Sequence, residues 1–368
     1  MLTVEQQYFA LLRAALWDTP VSIDGEIDWE AVMQVAGFHS NNVLIADVAS
    51  RMPDGNKPSP AKLAKMQSVM RNNLLHQMQL RQILLQAVKL LREHGIEPVV
   101  LKGFGLALLY PNPSLRQIGD IDLFIGVADF HESCTLLRSL PGGYNWGEEI
   151  DEGRHYNIEF GHIPLEVHRV SADVEDAQRQ PLYSAMEKDG LLDHPQHVKY
   201  EGYEITVPSK EFAVFFTFFH AWHHYLKSGV GWRQLTDVAM TLHAYYGQLD
   251  LDKLRRWLTS MYVMKPWQTF GYLLVDCLGL PQVEFPFYDV RCKSRAQRLY
   301  CQIMKDGNFK RTNTFKRKKP KSRLWHKVHA FIGIFVDFFH CVGVFPSEAF
   351  REWCNEIQIG FGKNFQKK

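Results

Sequence analysis

The stretch that decides the fold is IEPVVLKGFGLALLYPNPSLRQIGDIDLFIG, residues 96–126. A short apolar run, Ile96–Leu101, predicts a buried strand, and a glycine-containing turn, Lys102–Gly105, follows it. The apolar segment Leu106–Tyr110 predicts one or two helical turns, which end at the Pro-Asn-Pro sequence after it. A second strand, Asp120–Ile125, opens with strict alternation of polar and apolar residues.

Two aspartates lie on one face of this second predicted strand. Side chains at positions i and i+2 of a strand point the same way, with Cα atoms roughly 7 Å apart. Asp120 and Asp122 therefore share a face, and the apolar residues between and after them face the other side. Two neighbouring carboxylates repel each other, so a pair of divalent cations would stabilise them. The alternative is a solvated strand end, and the Asp-x-Asp pattern taken alone favours that alternative.

A third acid follows in a predicted β-hairpin. The strands Tyr156–Phe160 and Ile163–His168 flank a Gly161-His162 turn, and Glu166 is the acid among apolar residues of the second strand. His168 shares the face of Glu166 if the strand continues. Because Mg²⁺ prefers oxygen ligands, we expect His168 to support Glu166 rather than to bind the metal. An exposed imidazole at the strand end is an equal alternative.

This order of elements resembles that of the polymerase-β-type nucleotidyltransferases, and more closely a bacterial family of uncharacterised nucleotidyltransferases. The resemblance extends from the N-terminal helices to about Leu280, and its motifs are Leu101-Lys102-Gly103, Leu109-Tyr110-Pro111, Arg116, Gly119–Leu123 and Leu165–His168. The chain departs from the wider superfamily at the phosphate-binding turn. There Lys102-Gly103 replaces the usual Gly-Ser pair and lies farther from Asp120.

The resemblance implies an α+β fold, with a small mixed sheet flanked by N-terminal and C-terminal helical subdomains. It also implies Mg²⁺-dependent transfer of a nucleoside monophosphate from an NTP to an acceptor hydroxyl or amine, with release of pyrophosphate. The expected metal ligands, for two Mg²⁺ ions, are the acids Asp120, Asp122 and Glu166. The alternative is a catalytically inactive nucleotide-binding or protein-interaction module of the same fold.

Four further residues are predicted to bind the nucleotide: Lys102, Gly103, Arg116 and Arg233. Backbone N–H groups of the Lys-Gly turn can bind an anion, and arginine recognises phosphate in a bidentate way. Each charged residue has another interpretation. Lys102 could be solvated in its turn, Arg116 could lie on a surface loop, and Arg233 could form only an i,i+4 ion pair with Asp237.

The composition bounds the class of protein. The chain has 368 residues, enough for about two domains, and a net charge of +2, which gives no general attraction to nucleic acid. Nucleic acid is not excluded as an acceptor, along with a small molecule, sugar, peptide or protein. Six cysteines without a Cys-x-x-Cys pattern, and no signal peptide at the N-terminus, predict a cytoplasmic protein with free thiols.

Four segments are expected along the chain: 1–95 helical, 96–207 the nucleotidyltransferase core, 208–305 helical, and 306–368 a basic linker with C-terminal helices. In the first segment, Thr3 and Gln6 form a predicted capping box, and Ser59-Pro60 starts a second helix. An apolar stripe is predicted along the long helix that follows, consisting of Leu74, Met78, Leu85 and Val88.

In the third segment, Ser209 is predicted to cap a helix with an aromatic core stripe of Phe212, Phe215, Phe216, Phe219 and Trp222. Three histidines lie near its end: His220, His223 and His224. Buried or cleft-lining imidazoles are favoured over a zinc site, because no further ligand spacing follows them.

The last segment begins with a basic run, residues 310–323, and continues with a helix, 324–345, that is apolar over most of its surface. Asp337 near its middle makes membrane insertion cost roughly 2.5–3.5 kcal/mol. Packing on protein is favoured, and contact with a membrane surface through 310–345 is the alternative. A short final helix is expected from Pro346 to Ile357.

Overall fold

The computed structural model describes residues 2–21, 23–144, 150, 153–174, 176–308 and 323–365, with the side chains of 323–330 and 359–365 outside that description. The predicted α+β class is confirmed, because a mixed seven-stranded sheet lies among helices that precede and follow it in the chain. Most of the basic run, 310–322, falls outside the described residues.

The helices on the N-terminal side and within the sheet region are α1 (Val4–Trp17), α2 (Trp29–Phe38), α3 (Asn42–Arg51), α4 (Pro60–Glu93), α5 (Phe104–Ala107), α6 (Phe130–Arg138) and α7 (Gln180–Glu187). Those that follow the sheet are α8 (Lys210–Lys227), α9 (Trp232–Ala244), α10 (Leu251–Ser260), α11 (Met264–Asp276), α12 (Lys293–Asp306), α13 (Arg323–Val342) and α14 (Pro346–Phe365).

The strands are β1 (Val99–Val100), β2 (Ile121–Phe124), β3 (Gly143–Tyr144), β4 (His155–Phe160), β5 (Ile163–His168), β6 (Gln196–Tyr200) and β7 (Tyr203–Val207). Their order in the sheet is β3-β4-β5-β2-β1-β7-β6. Strand β2 runs parallel to β5 and β1 runs parallel to β7, whereas the other neighbours are antiparallel.

The register of the central strands places the predicted acids together. Asp122 on β2 pairs directly with Glu166 on β5. The β4–β5 hairpin closes through a two-residue turn whose Gly161 has a φ of +66°, a left-handed conformation that glycine adopts without steric cost. Since Phe160 pairs with Ile163 across this turn, the pairing of every later residue in the hairpin is fixed.

Helix α4 differs from the prediction in the face that it buries. Leu74 and Met78, which were expected in the apolar stripe, are each about half exposed, at 49% and 48%. Val88 of the predicted stripe is buried, and the rest of the buried face of α4 is formed by Met66, Gln77, Leu80, Leu84, Ala87 and Leu91. Its polar member, Gln77, donates hydrogen bonds to the backbone oxygens of Ser114 and Arg116 at 3.0 and 2.7 Å. Gln77 is the member of this face that a search for apolar periodicity does not find.

The aromatic face of α8 forms the core between the helices, as predicted, and all five of its stripe residues are buried. The connection between α13 and α14 packs into the same core. The Phe345 ring contacts the rings of Trp222 and Tyr225 edge-on, with centroids 4.9 and 5.5 Å away. In contrast, Phe331 and Phe339 of α13 remain exposed. Among the helices that the structure describes, none combines the length and apolar character that crossing a bilayer requires.

The final helix is longer than predicted. It extends from Pro346 to Phe365 instead of ending at Ile357. The helix continues through Gly360 and Gly362, because glycine inside a helix costs only about 1 kcal/mol relative to alanine and does not break it.

Candidate active site

The three acids predicted from the sequence meet where β2 and β5 run side by side. Asp122 is 1% exposed, and its Oδ1 lies 2.9 Å from both Lys102 Nζ and His168 Nε2. Glu166 Oε2 lies 3.3 Å from the same His168 nitrogen. Asp122 Oδ2 is buried and has no hydrogen-bond partner among the described residues. A buried carboxylate oxygen that accepts no hydrogen bond is energetically unfavourable, and a bound cation would stabilise it.

Asp120 and Glu166 open onto a cavity of about 350 Å³. The cavity is lined by residues of the strands, the Lys-Gly turn, α8 and α9, namely Lys102, Gly103, Leu106, Arg116, Gly119, Asp120, Arg154, Glu166, Thr217, His220, His224, Arg233, Gln234 and Asp237. Two of the predicted acids therefore share this cavity with the cationic side chains of Lys102, Arg154 and Arg233.

The environment shifts the pKa values of the three acids in different directions. Burial and the neighbouring Asp122 charge raise the pKa of Asp120. Burial alone would also raise the pKa of Asp122, but Lys102 and His168 hold it well below its usual range. Burial would raise the pKa of Glu166, but the hydrogen bond from His168 and the charges of His168 and Lys102 together lower it. Asp120 is thus the acid that lacks sufficient positive charge nearby.

The Lys102-Gly103 turn lies against the acids, so Lys102 is not simply solvated in its turn. Lys102 is 17% exposed and forms its ion pair with Asp122, so its charge is directed at a carboxylate. Burial would lower the pKa of Lys102, but the charges of Asp122 and Asp120 raise it. Gly103 has a φ of +56°, and a Cβ there would lie 3.4 Å from the Asp120 backbone oxygen. The helix after the turn has only four residues.

Arg116 is a buried residue rather than one on a surface loop. Its Nε and Nη2 donate to the two carboxylate oxygens of Asp237 at 2.7 and 2.8 Å, and its Nη1 donates to the Gly103 backbone oxygen at 3.1 Å. Tyr110 Oη also donates to Asp237 Oδ1, at 2.8 Å. Arg116 therefore fixes the turn beside the acids to α9, and the prediction that it binds phosphate stays a prediction.

Arg233 is the cation with spare donors in the cavity wall. The acid four residues later, Asp237, forms a bidentate ion pair with Arg116. This contact takes the place of the alternative i,i+4 pair between Arg233 and Asp237. Arg233 Nη1 lies 3.4 Å from the Gln117 backbone oxygen. Its Nε is buried, with no hydrogen-bond partner in the described part of the chain. Burial and the like charge of Arg116 lower the pKa of Arg233, so an anion in the cavity would relieve an unfavourable environment.

Two of the three histidines of α8 line this cavity. His220 Nε2 and His224 Nε2 lie 3.0 Å apart, and His224 Nδ1 lies 2.7 Å from Ser228 Oγ. Burial and nearby positive charge lower the pKa of His220 well below its ordinary value and that of His224 to about 4. His223 lies outside this cavity, and burial with the charge of Lys227 lowers its pKa to about 3. These imidazoles are neutral at physiological pH.

The neutral histidines predict that stability falls in mild acid. Since the folded pKa of His224 is depressed, the unfolded chain binds the proton first as pH falls from about 6.5 to about 4. Stability is fully present above this window and decreases within it, by up to about 1.4 kcal/mol per pH unit for each histidine. His224→Gln should flatten the slope in urea unfolding measured from pH 7 to pH 4.

A matched control is His131→Gln, at an exposed position on α6, which should leave the slope unchanged. An identical slope for wild type and His224→Gln would contradict the prediction.

Two residues beside the acids were not predicted from the sequence. His155 pairs across the hairpin with His168, and their rings lie 5.3 Å apart. Arg154 lines the cavity and donates a 3.2 Å hydrogen bond to His155 Nδ1. The two-residue turn of the hairpin is the sequence signal that could have identified His155, because counting residues back from the turn pairs His155 with His168.

Comparison with known proteins places the chain in a family. The model of a family described as uncharacterised nucleotidyltransferase matches residues 25–279. No curated protein matches the chain. Among solved structures, an antigenic nucleotidyltransferase-like protein from Paracoccidioides brasiliensis is similar, with 18% identity, a TM-score of 0.33, and coverage of 53% of this chain and 89% of that one. Because the family match covers more than half of the chain and includes all three acids, the chain belongs to the family of uncharacterised nucleotidyltransferases.

Proposed function

We propose that the chain is a Mg²⁺-dependent nucleotidyltransferase that moves a nucleoside monophosphate from an NTP to an acceptor hydroxyl or amine and releases pyrophosphate. The observation that carries the proposal is the pairing of Asp122 with Glu166 beside Asp120, at a cavity that Arg233 also lines. Nucleotidyl transfer requires this combination of metal-binding acids and phosphate-binding cations around one space.

The residues present fit magnesium. Mg²⁺ takes carboxylate oxygens together with substrate phosphates, and the buried Asp122 Oδ2 has no donor within the described ranges. Asp120, Asp122 and Glu166 would hold the two expected ions, and Lys102 is the nearby cation that partly neutralises these acids. When bound, Mg²⁺ supplies positive charge that stabilises the transferring phosphoryl group.

The chain's own groups then bind and orient the substrates. Arg233 has donors to spare for phosphate oxygens, and Arg154 brings a second positive charge to the same cavity. Gly103 lets the backbone approach a phosphate without a side chain in between. Arg116 keeps this turn in place through the Gly103 carbonyl, so we assign it a positioning role. The acceptor would enter the cavity so that its hydroxyl or amine meets the α-phosphorus.

One observation favours the catalytically inactive module. Lys102 Nζ lies 2.9 Å from Asp122 Oδ1, so an ammonium group already neutralises part of the metal-binding charge. An inactive chain would retain nucleotide binding through Arg233 and would show no turnover with any NTP. The two functions are therefore distinguished by turnover and not by binding.

The experiment that tests the proposal uses the full chain with each of the four α-labelled NTPs, MgCl₂ and cell extract as the source of acceptor. We expect label in a macromolecule or small molecule with one NTP, and none after chelation of Mg²⁺. Asp120→Asn and Glu166→Gln should abolish labelling, whereas Glu132→Gln, an exposed acid on α6, should not. Nucleotide binding without labelling in any extract would favour the inactive module.

Arg233→Met is expected to weaken NTP binding without destabilising the fold. Hydrogen bonds to charged groups are worth about 1.5–3 kcal/mol, which corresponds to roughly a tenfold to hundredfold higher Kd. Because Arg233 is buried near the like charge of Arg116, its removal should hold or raise the melting temperature. Calorimetric titration with NTP and Mg²⁺ measures the first effect, and thermal unfolding measures the second.

The matched variant is Arg138→Met, which removes an exposed arginine of α6 and should change neither quantity. Unaltered NTP affinity in Arg233→Met would remove this residue from the nucleotide site.

A further inference from the structure

The hairpin carries a cluster of three ligand groups, of which the nucleotidyl transfer proposal uses only Glu166 as a metal ligand. His155, Glu166 and His168 each place one ligand atom within 4.8 Å of the other two. His155 and His168 are direct cross-strand partners, and Glu166 precedes His168 by two residues on the same face of β5. The cluster is therefore fixed by the register of one hairpin.

Two imidazoles and one carboxylate are the wrong set for Mg²⁺ and a suitable set for a transition-metal ion. Magnesium is bound through oxygen, whereas imidazole nitrogen suits Zn²⁺, Co²⁺, Ni²⁺ and Cu²⁺. A His₂Glu set with an open position is one of the ligand sets found in catalytic zinc sites. Bonds of about 2.0–2.2 Å bring such ligand atoms roughly 3.3 Å apart, so small side-chain movements would close this cluster around an ion.

The surroundings already orient both rings. His168 Nε2 lies 2.9 Å from Asp122 Oδ1, while its Nδ1 is buried and lacks a hydrogen-bond partner in the regions that the structure describes. An ion bound through Nδ1 would leave Asp122 as the outer carboxylate that orients this ring, an arrangement usual in such sites. His155 Nδ1 accepts a hydrogen bond from Arg154, so its lone pair becomes available to an ion only when the arginine moves away. Negative charge on Asp122 and Glu166 also favours a cation here.

We propose that His155, Glu166 and His168 form a binding site for a nitrogen-preferring divalent transition-metal ion such as Zn²⁺, beside the carboxylates assigned to Mg²⁺. The two sites share Glu166, so an ion held by the histidines competes for this acid. The proposal stands on the hairpin geometry and does not require that the chain transfers nucleotides.

The test is a titration of the metal-free full chain with Co²⁺ alone. The visible ligand-field absorption of the bound ion measures the binding. His155→Ala should raise the Kd for Co²⁺ by about tenfold or more, because one of three protein ligands is lost. Arg154→Met should tighten binding, since the arginine competes for His155 Nδ1 and repels the cation. His131→Ala, at an exposed position on α6, should leave the spectrum and the Kd unchanged, and Asp120→Asn should change them less than His155→Ala does.

Nitrogen coordination has its own readout. Bound Cu²⁺ should show nitrogen hyperfine structure in electron paramagnetic resonance that His155→Ala alters, and this measurement needs no nucleotide or turnover. Unchanged Co²⁺ affinity and Cu²⁺ spectra in His155→Ala would overturn the proposal. So would loss of Co²⁺ binding in Asp120→Asn equal to that in His155→Ala, because the ion would then be held by the carboxylates alone.

Discussion

Asp122→Asn is expected to abolish nucleotide transfer and to lower the melting temperature, whereas Asp120→Asn should abolish transfer and leave the melting temperature unchanged or higher. Repulsion among the acids alone would predict that both variants are stabilised. Asp122, however, is buried and pairs with Lys102 and His168. Removing one partner of a buried ion pair typically costs about 3–5 kcal/mol.

The pKa values of these two acids shift in opposite directions, so the expected changes in stability on neutralising each acid are also opposite. The pKa of Asp122 is lowered in the folded chain, so its ionised form stabilises the fold above the unfolded pKa, and that stabilisation is lost as pH falls. The pKa of Asp120 is raised, so its ionised form is less favourable folded than unfolded, and neutralising it relieves that cost. Thermal unfolding without Mg²⁺ and labelled transfer measure the two effects. A melting temperature that rises in Asp122→Asn would contradict the assigned ion pair.

Arg116→Met is expected to destabilise the fold by about 3–5 kcal/mol, because it leaves the Asp237 carboxylate buried without its bidentate partner. The Gly103 carbonyl also loses its donor, so the turn beside the acids should become less well positioned. We therefore expect a lower kcat as well as lower stability. Urea unfolding and steady-state transfer measure the two effects.

A double variant separates positioning from stability. Replacing a buried ion pair by apolar residues of similar size is often neutral or stabilising, so Arg116→Met with Asp237→Leu should recover much of the stability. The Gly103 carbonyl remains without its donor in the double variant, so kcat should stay low. Recovery of both quantities would show that Arg116 has only a structural role.

The face that carries the two aspartates was predictable because it depends on local rules. Alternation places Asp120 and Asp122 on one face from sequence alone, and the hairpin pattern assigns Glu166 to a strand. The aromatic stripe of α8 was predictable for the same reason, since helical periodicity is read within one segment. The direct pairing of Asp122 with Glu166 needed the structure, because strand order is not encoded by periodicity.

The remainder of the site depends on residues that are far apart in the chain. Arg116 and Asp237 are separated by 121 positions, and no local pattern relates them. The i,i+4 rule instead suggested Arg233 as the partner of Asp237, although tertiary packing supplies a better bidentate geometry. On the buried face of α4, Val88 was predicted, whereas Gln77 was missed because it is polar and its partners are backbone oxygens that no sequence pattern reveals.

The hydrogen bonds made by Gln77 bear on how much of the chain must accompany this site if it is moved to another protein. The loop that carries Arg116 is tied by Gln77 to a helix encoded before the sheet, and by Asp237 to a helix encoded after it. A gene fragment for the sheet alone would therefore encode the three acids without the groups that hold their neighbouring turn. A transfer of the site into another scaffold would need to include both flanking helices.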